Sequence, residues 1–164
     1  MDDNLPARPD APIDIAAPAA AGDAPALWNP EAAAAWSLLF SPVFGTWVHL
    51  KNWQALGDAG RVRLAWAWLA AAILVFFATL GFRLWPLFAS SYDPDTLQYS
   101  QWLPYVFLIA WFFGAAQAQV RTVRARFGEQ YPRKRWKVPM LWAIGGWAAV
   151  CVAYAYVALL GLAG

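Results

Sequence analysis

The sequence predicts an all-α integral membrane protein: a bundle of three clear transmembrane helices plus an N-terminal helix that is broken, re-entrant or a fourth span. Three observations predict it. The 164 residues are 61% hydrophobic and only 13% charged, where a soluble domain is about 45–50% apolar and about 25% charged. The excess lies in long blocks free of ionisable residues, where a soluble core would scatter polar positions at helical or strand periods. The basic residues gather between those blocks. Length allows one domain.

Residues 1–27 hold Pro6, Pro9, Pro12, Pro18 and Pro25 among Ala and Asp. The prolines stand too close for a helix, and large apolar residues are too few to offset ordering entropy, so a disordered, solubilising tail is expected. The start MDDNLPARPD has neither a positive nor an apolar leader region, so no cleavable signal peptide is expected. Residues 28–164 form the single transmembrane domain.

Asn29-Pro30-Glu31 reads as a helix start, with a capping amide, a proline at the first helical position and an acid at the positive end of the dipole. The helix at about 31–50 is long enough to span, yet Pro42 and Gly45 interrupt it. Ser37, Ser41, Gly45 and His49 recur every fourth residue and form a candidate helix-packing or polar stripe. A broken pair of half-helices is equally allowed if protein covers the freed backbone groups.

Residues 51–63 read as a polar loop turned by Gly57 and Gly60 around Asp58. Residues 64–82 are the clearest span. They lack charge and proline, Arg63 and Arg83 bracket them, and about 19 residues at 1.5 Å approach the roughly 30 Å of hydrocarbon. Trp66, Trp68 and Trp85 lie near the ends, as interfacial indoles do. The connection at 83–101 contains Trp85-Pro86 and Asp93-Pro94-Asp95. The next span is expected at 102–120, with Pro104 in or near its first turn and Gln117 and Gln119 at its basic end. The loop 121–137 follows, then a last span at 138–162 with Gly145, Ala149 and Ala153 on one close-packing face.

Charge sets the expected threading. The loop 121–137 carries Arg121, Arg124, Arg126, Arg133, Lys134, Arg135 and Lys137 against Glu129, and the loop 51–63 carries Lys51, Arg61 and Arg63. The connection 83–101 has Arg83 beside Asp93 and Asp95. Short Lys/Arg-rich loops stay in the cytoplasm. Loops 51–63 and 121–137 are therefore expected to be cytoplasmic, and loop 83–101 and the C-terminus periplasmic. The N-terminal tail is outside if residues 32–50 span and cytoplasmic if they re-enter.

The chemistry of catalysis is sparse. His49 is the single histidine and Cys151 the single cysteine, so an intrachain disulfide or an ordinary His/Cys metal site is excluded. His49 is expected to face headgroups or a neighbouring helix, with a proton-sensitive switch as the sharper reading. Cys151 is expected to be a buried, inert packing thiol. Asp93 and Asp95 are better explained by helix capping than by metal binding. Ser37, Ser41, Gln117, Gln119, Tyr105, Tyr154 and Tyr156 are expected in interhelical hydrogen bonds rather than in a solute site. No catalytic residue, metal or cofactor is expected. The seven-residue basic patch is a candidate site for anionic lipid at the cytoplasmic face or for an acidic partner, at about 1 kcal/mol per basic residue near a membrane. It resembles a nucleic-acid patch in composition only, and no nucleic acid is expected as partner.

Asn29-Pro30, Trp36-Ser37-Leu38-Leu39-Phe40-Ser41-Pro42-Val43-Phe44-Gly45, Asn52-Trp53 and Leu56-Gly57 together resemble a family of small, uncharacterised, multi-pass inner-membrane proteins of proteobacteria. Phe127-Gly128, Tyr131-Pro132-Arg133-Lys134 and Trp136 fit the same resemblance, which covers most of the chain after the tail. It implies location and fold and carries no activity. Some small proteins of this build accompany bacterial secretion or toxin systems, which is an analogy of build. The expectation is a non-enzymatic bacterial inner-membrane protein acting through protein contacts, as an accessory subunit, an immunity-type partner or a homo-oligomer. The alternative is a small oligomeric channel or carrier for a neutral solute, lined by Ser37, Ser41 and His49.

Overall fold

The computed structural model describes residues 24–87 and 94–163. Most of the tail expected to be disordered, residues 1–23, lies outside the described residues, as do residues 88–93. The described residues are mostly helical, in the order α1 Pro30–Leu39, α2 Pro42–Leu56, α3 Ala59–Leu84, α4 Pro94–Trp111, α5 Gln117–Phe127 and α6 Lys137–Ala163. Among the described residues, three stretches are long and apolar enough to cross a membrane: Ala59–Leu84, Gln101–Phe127 and Lys137–Leu160.

α1 begins as the sequence suggests. Asn29 Oδ1 accepts from the amides of Glu31 at 3.0 Å and Ala32 at 3.3 Å, and Pro30 fills the first helical position. Ser41-Pro42 then breaks the helix. Ser41 is extended, its Oγ accepts from the Phe44 amide at 3.3 Å, and Pro42 starts α2. Cap and proline together make a complete new helix start. The chain reverses there, since His49 returns to Pro30 and Asn52 to Trp28. The segment expected at 31–50 is thus an antiparallel hairpin of half-helices, and neither half is long enough to span.

The loop expected at 51–63 shrinks to a two-residue turn. Lys51–Leu56 finish α2, Gly57 takes the left-handed conformation (φ 72°), and Asp58 caps α3 by accepting from the Arg61 amide at 2.9 Å. Lys, Gln and Arg are good helix formers, so their charge places them on an exposed helix face without breaking the helix.

α4, a wide π turn at Phe112–Ala116 and α5 form one continuous rod. Pro104 lies well inside α4 rather than in a first turn, because the helix starts at Pro94. Arg121, Arg124 and Arg126 belong to the last turns of this rod, which ends at Gly128 (φ 60°), so the non-helical part of the expected loop 121–137 is only 128–136. Leu27 pairs with that connector. Its amide donates to Pro132 O at 2.9 Å, and its carbonyl accepts from the Lys134 amide at 2.8 Å. Residues 24–27, expected within the disordered tail, are therefore docked, with Ala24 and Leu27 buried against Val123 and Tyr131.

Leu56 and Phe127 pack on the same cluster. The start of α1, the end of α2 and the end of α5 consequently share one end of the bundle. The bundle's middle is Ala72, Phe107, Leu108, Trp111 and Ala116, packed against Trp68. α6 stands apart. Trp136, just before it, and Ala143 within it meet the hairpin, its far part passes Trp85–Leu87, and its most apolar window has no buried residue.

Candidate functional site

The buried polar residues of the described chain are Ser37, Thr46, His49, Asn52 and Gln119, and they converge where the hairpin meets α5. Thr46 and Ser37 need no tertiary partner. Each hydroxyl donates to a carbonyl one turn back, Thr46 to Pro42 O at 2.9 Å and Ser37 to Ala33 O at 2.8 Å. The other three form a chain across elements. The Trp28 amide donates to Asn52 Oδ1 at 3.0 Å, and Asn52 Nδ2 donates to Trp28 O at 2.8 Å and to Gln119 Oε1 at 3.3 Å. Gln119 Nε2 donates to His49 O at 2.8 Å. His49 Nε2 lies 3.1 Å from Pro30 O. A carbonyl only accepts, so Nε2 carries the proton and Nδ1 is a bare lone pair. Nδ1 is buried without a partner. The ring meets Trp111 edge-on at 4.9 Å between centroids.

Asn52 and Gln119 thus tie the incoming chain, α2 and the α4–α5 rod together at one depth. An unmade bond at such a buried group costs about 1–3 kcal/mol, which makes the amides a register lock. A cavity of about 10 Å³ lies beside His49, bounded by Thr46, Trp53, Arg61, Trp68 and Trp111. That is about the room one water needs. No carboxylate lines it, so the site offers His49 no acid to work with.

The stripe residues part company. Ser41 is the α2 cap, and Ser37 lies on α1 while Gly45 and His49 lie on α2. Ser37 and Gly45 still meet, face to face across the hairpin: a Cβ on Gly45 would fall 1.6 Å from Ser37 Oγ and 2.9 Å from Ser37 Cβ. His49 faces α1 and Trp111 rather than headgroups.

Part of the basic patch is held within the chain. Arg124 pairs with Glu31 at 2.6 Å across exposed surface. Lys134 Nζ stands 4.4 Å from the Trp28 ring centroid, Arg133 stacks at 5.7 Å on Tyr131, and Arg135 O accepts from Trp28 Nε1 at 3.2 Å. Burial pushes the Tyr131 phenol up, against the opposing pull of Arg133. Arg121, Arg126 and Lys137 are exposed. Cys151, expected to be buried, is exposed on α6, in the part of that helix where the most apolar window has no residue buried by the described chain. Tyr105, Tyr154 and Tyr156 are exposed as well. Asp93 lies outside the described residues.

Gln119 is among the residues expected in interhelical hydrogen bonds, and it makes two, with Asn52 and with the His49 carbonyl. Asn52, expected in a polar loop, is the residue that sequence reasoning missed, because it lies inside α2.

Compared with family models, curated proteins and solved structures, the chain has no match.

Proposed function

We propose that this is a multi-pass protein of the bacterial inner membrane that acts through protein contacts, with α6 as its docking helix. The observation that carries the reading is the isolation of α6. A 27-residue helix ends the bundle with its apolar window unburied, and nothing lies within 4 Å of a Cβ placed on Gly145 or Gly146. In lipid, apolar side chains need no protein cover. Small residues differ, because they gain chiefly by letting another helix approach closely. Gly145, Ala149 and Ala153 offer that approach to a helix from outside this chain.

The threading follows from charge. Lys51, Arg61, Arg63 and the cations of 121–137 gather at the end where the hairpin opens, and Arg83 lies at the other. The positive-inside rule places the first end in the cytoplasm, with the C-terminus periplasmic and α1–α2 a re-entrant hairpin. The reading as an accessory or immunity-type partner, drawn by analogy of build, is favoured over catalysis. The buried amides and hydroxyls pair with one another and with backbone, His49 Nδ1 faces no acid, and the cavity beside it has no room for a solute.

Cysteine cross-linking in native membranes tests this. In a C151A background, A149C is expected to give one discrete heavier adduct, while W147C, about 200° around the helix, gives none. A monomer at both positions, together with solute flux through liposomes holding the pure chain, would reject the contact reading in favour of the carrier.

A further inference from the structure

We propose that the groove between α1 and the α4–α5 rod is a binding site for one anionic phospholipid of the leaflet at the basic end. The inference rests on the membrane reading above and goes beyond it, because it names a site, a ligand class and the residues that hold each part.

The groove has a physical origin. α1 turns Ala34 and Ala35 toward the rod, and two methyl groups cannot fill the space between helices. A volume of about 750 Å³ remains, large enough for a lipid chain. Its far wall is graded. Tyr105, Ile109, Phe113, Gln117 and Arg121 follow one another at every fourth residue of the rod, so the lining passes from apolar through amide to guanidinium. Leu38 lies opposite on α1, and Ile109 and Phe113 are each more than half exposed. From Arg121 to Ile109 is about 18 Å at 1.5 Å per residue, close to the roughly 15 Å of one hydrocarbon leaflet.

Charge at the mouth fixes the sign of the ligand. Arg124 is answered by Glu31. Arg121 is not: it donates to Gln117 Oε1 at 2.9 Å and meets no carboxylate among the described residues. Accepting that bond orients the Gln117 amide and leaves its Nε2 as a donor beside the remaining guanidinium N–H groups. A phosphodiester carries the one negative charge and the acceptor oxygens that such a mouth lacks. A helix of a second copy does not. α6 is the long uncovered helix, and it has no acidic residue to bring to Arg121.

The test is native mass spectrometry of the full chain taken from vesicles of phosphatidylcholine with and without phosphatidylglycerol. Wild type is expected to keep one phosphatidylglycerol per chain in preference to phosphatidylcholine. R121Q, at an exposed position, is expected to lose that preference by about fivefold, the worth of one basic group near a membrane. A35W is expected to lose the bound lipid by filling the groove while leaving Arg121 in place. Equal retention of both lipids, or retention unchanged in R121Q and A35W, overturns the site. A chain dimer abolished by A35W assigns the groove to a second copy and also overturns it. Failure of the wider reading looks different, as a chain monodisperse without detergent or without an A149C adduct.

Discussion

The α1–α2 hairpin closes on Gly45, and adding one methyl group there should open it. In G45A the new Cβ would fall 1.6 Å from Ser37 Oγ, 2.9 Å from Ser37 Cβ and 3.0 Å from a ring carbon of Trp111. Favourable carbon contacts begin near 3.5 Å. Rotating Ser37 removes the first clash at the expense of its bond to Ala33 O, and leaves the second. Backbone must move, and the helices cannot separate without disturbing Trp111 and the His49–Pro30 contact. Overpacking costs about 1–3 kcal/mol, and a close approach between two helix backbones belongs at the upper end. At about 2–4 °C per kcal/mol for a chain of this size, the thermal midpoint in mild detergent should fall by roughly 6–12 °C.

The second half of the cycle makes the reasoning refutable. S37G removes both Ser37 atoms that the methyl group meets. By itself it costs about 1 kcal/mol, the penalty of glycine inside a helix. If the clash is the cause, G45A/S37G is more stable than the two single effects predict, by about 1–2 kcal/mol, since the Trp111 contact persists. Additive losses, or a G45A protein that melts with wild type, would show that the hairpin is not packed at this point.

N52L leaves the Trp28 amide and carbonyl and Gln119 Oε1 without their partner, so a loss of about 2–4 kcal/mol is expected. The same variant should make the backbone near Ala26 sensitive to protease, and equal protection in N52L and wild type would refute the lock. E31Q breaks an exposed pair and should cost under about 1 kcal/mol, less in high salt. A Cβ at Gly145 has nothing within 4 Å among the described residues, so the melting of G145L should match wild type while any partner is lost from pull-downs. In a C151A background, A26C and Q130C should react with an impermeant maleimide from the cytoplasmic face, and W85C from the other. Labelling of A26C and Q130C from opposite faces would remove the re-entrant hairpin.

The helix starts and the apolar spans are legible in the sequence because their causes are local. Asn29-Pro30-Glu31 carries its own cap, first-turn proline and dipole partner. Residues 64–82 carry enough apolar length without help from neighbours. The hairpin is legible only as an option. Ser41-Pro42 reads as a kink inside one helix and equally as the cap and first position of a second one. The choice falls to tertiary contacts, Gly45 against Ser37 and His49 against Pro30, which lie eight and nineteen residues apart. The polar stretches mislead for a related reason. Lys51, Arg61, Arg121 and Arg124 look like loop because they are charged, yet each has an exposed helix face to occupy. Isolation of α6 leaves no trace in composition, since a span buried in a bundle and one bare to lipid are both apolar.

The π turn explains how one rod serves the hairpin at two places. Trp111 packs on Gly45 and His49, and Gln119, eight residues on, reaches the His49 carbonyl and Asn52. Eight residues of unbroken α-helix would set these side chains about 80° apart around the axis, too far for both to face one hairpin. The wide turn at Phe112–Ala116 underwinds the rod between them and returns Gln119 toward the face of Trp111. Gly114 permits it at close quarters, where a Cβ would come within 3.0 Å of the Trp68 ring. The irregular turn and the buried amide therefore work together: without the turn Gln119 would point elsewhere, and the amide bonds add to the core packing of Phe112, Ala115 and Ala116 in holding the turn.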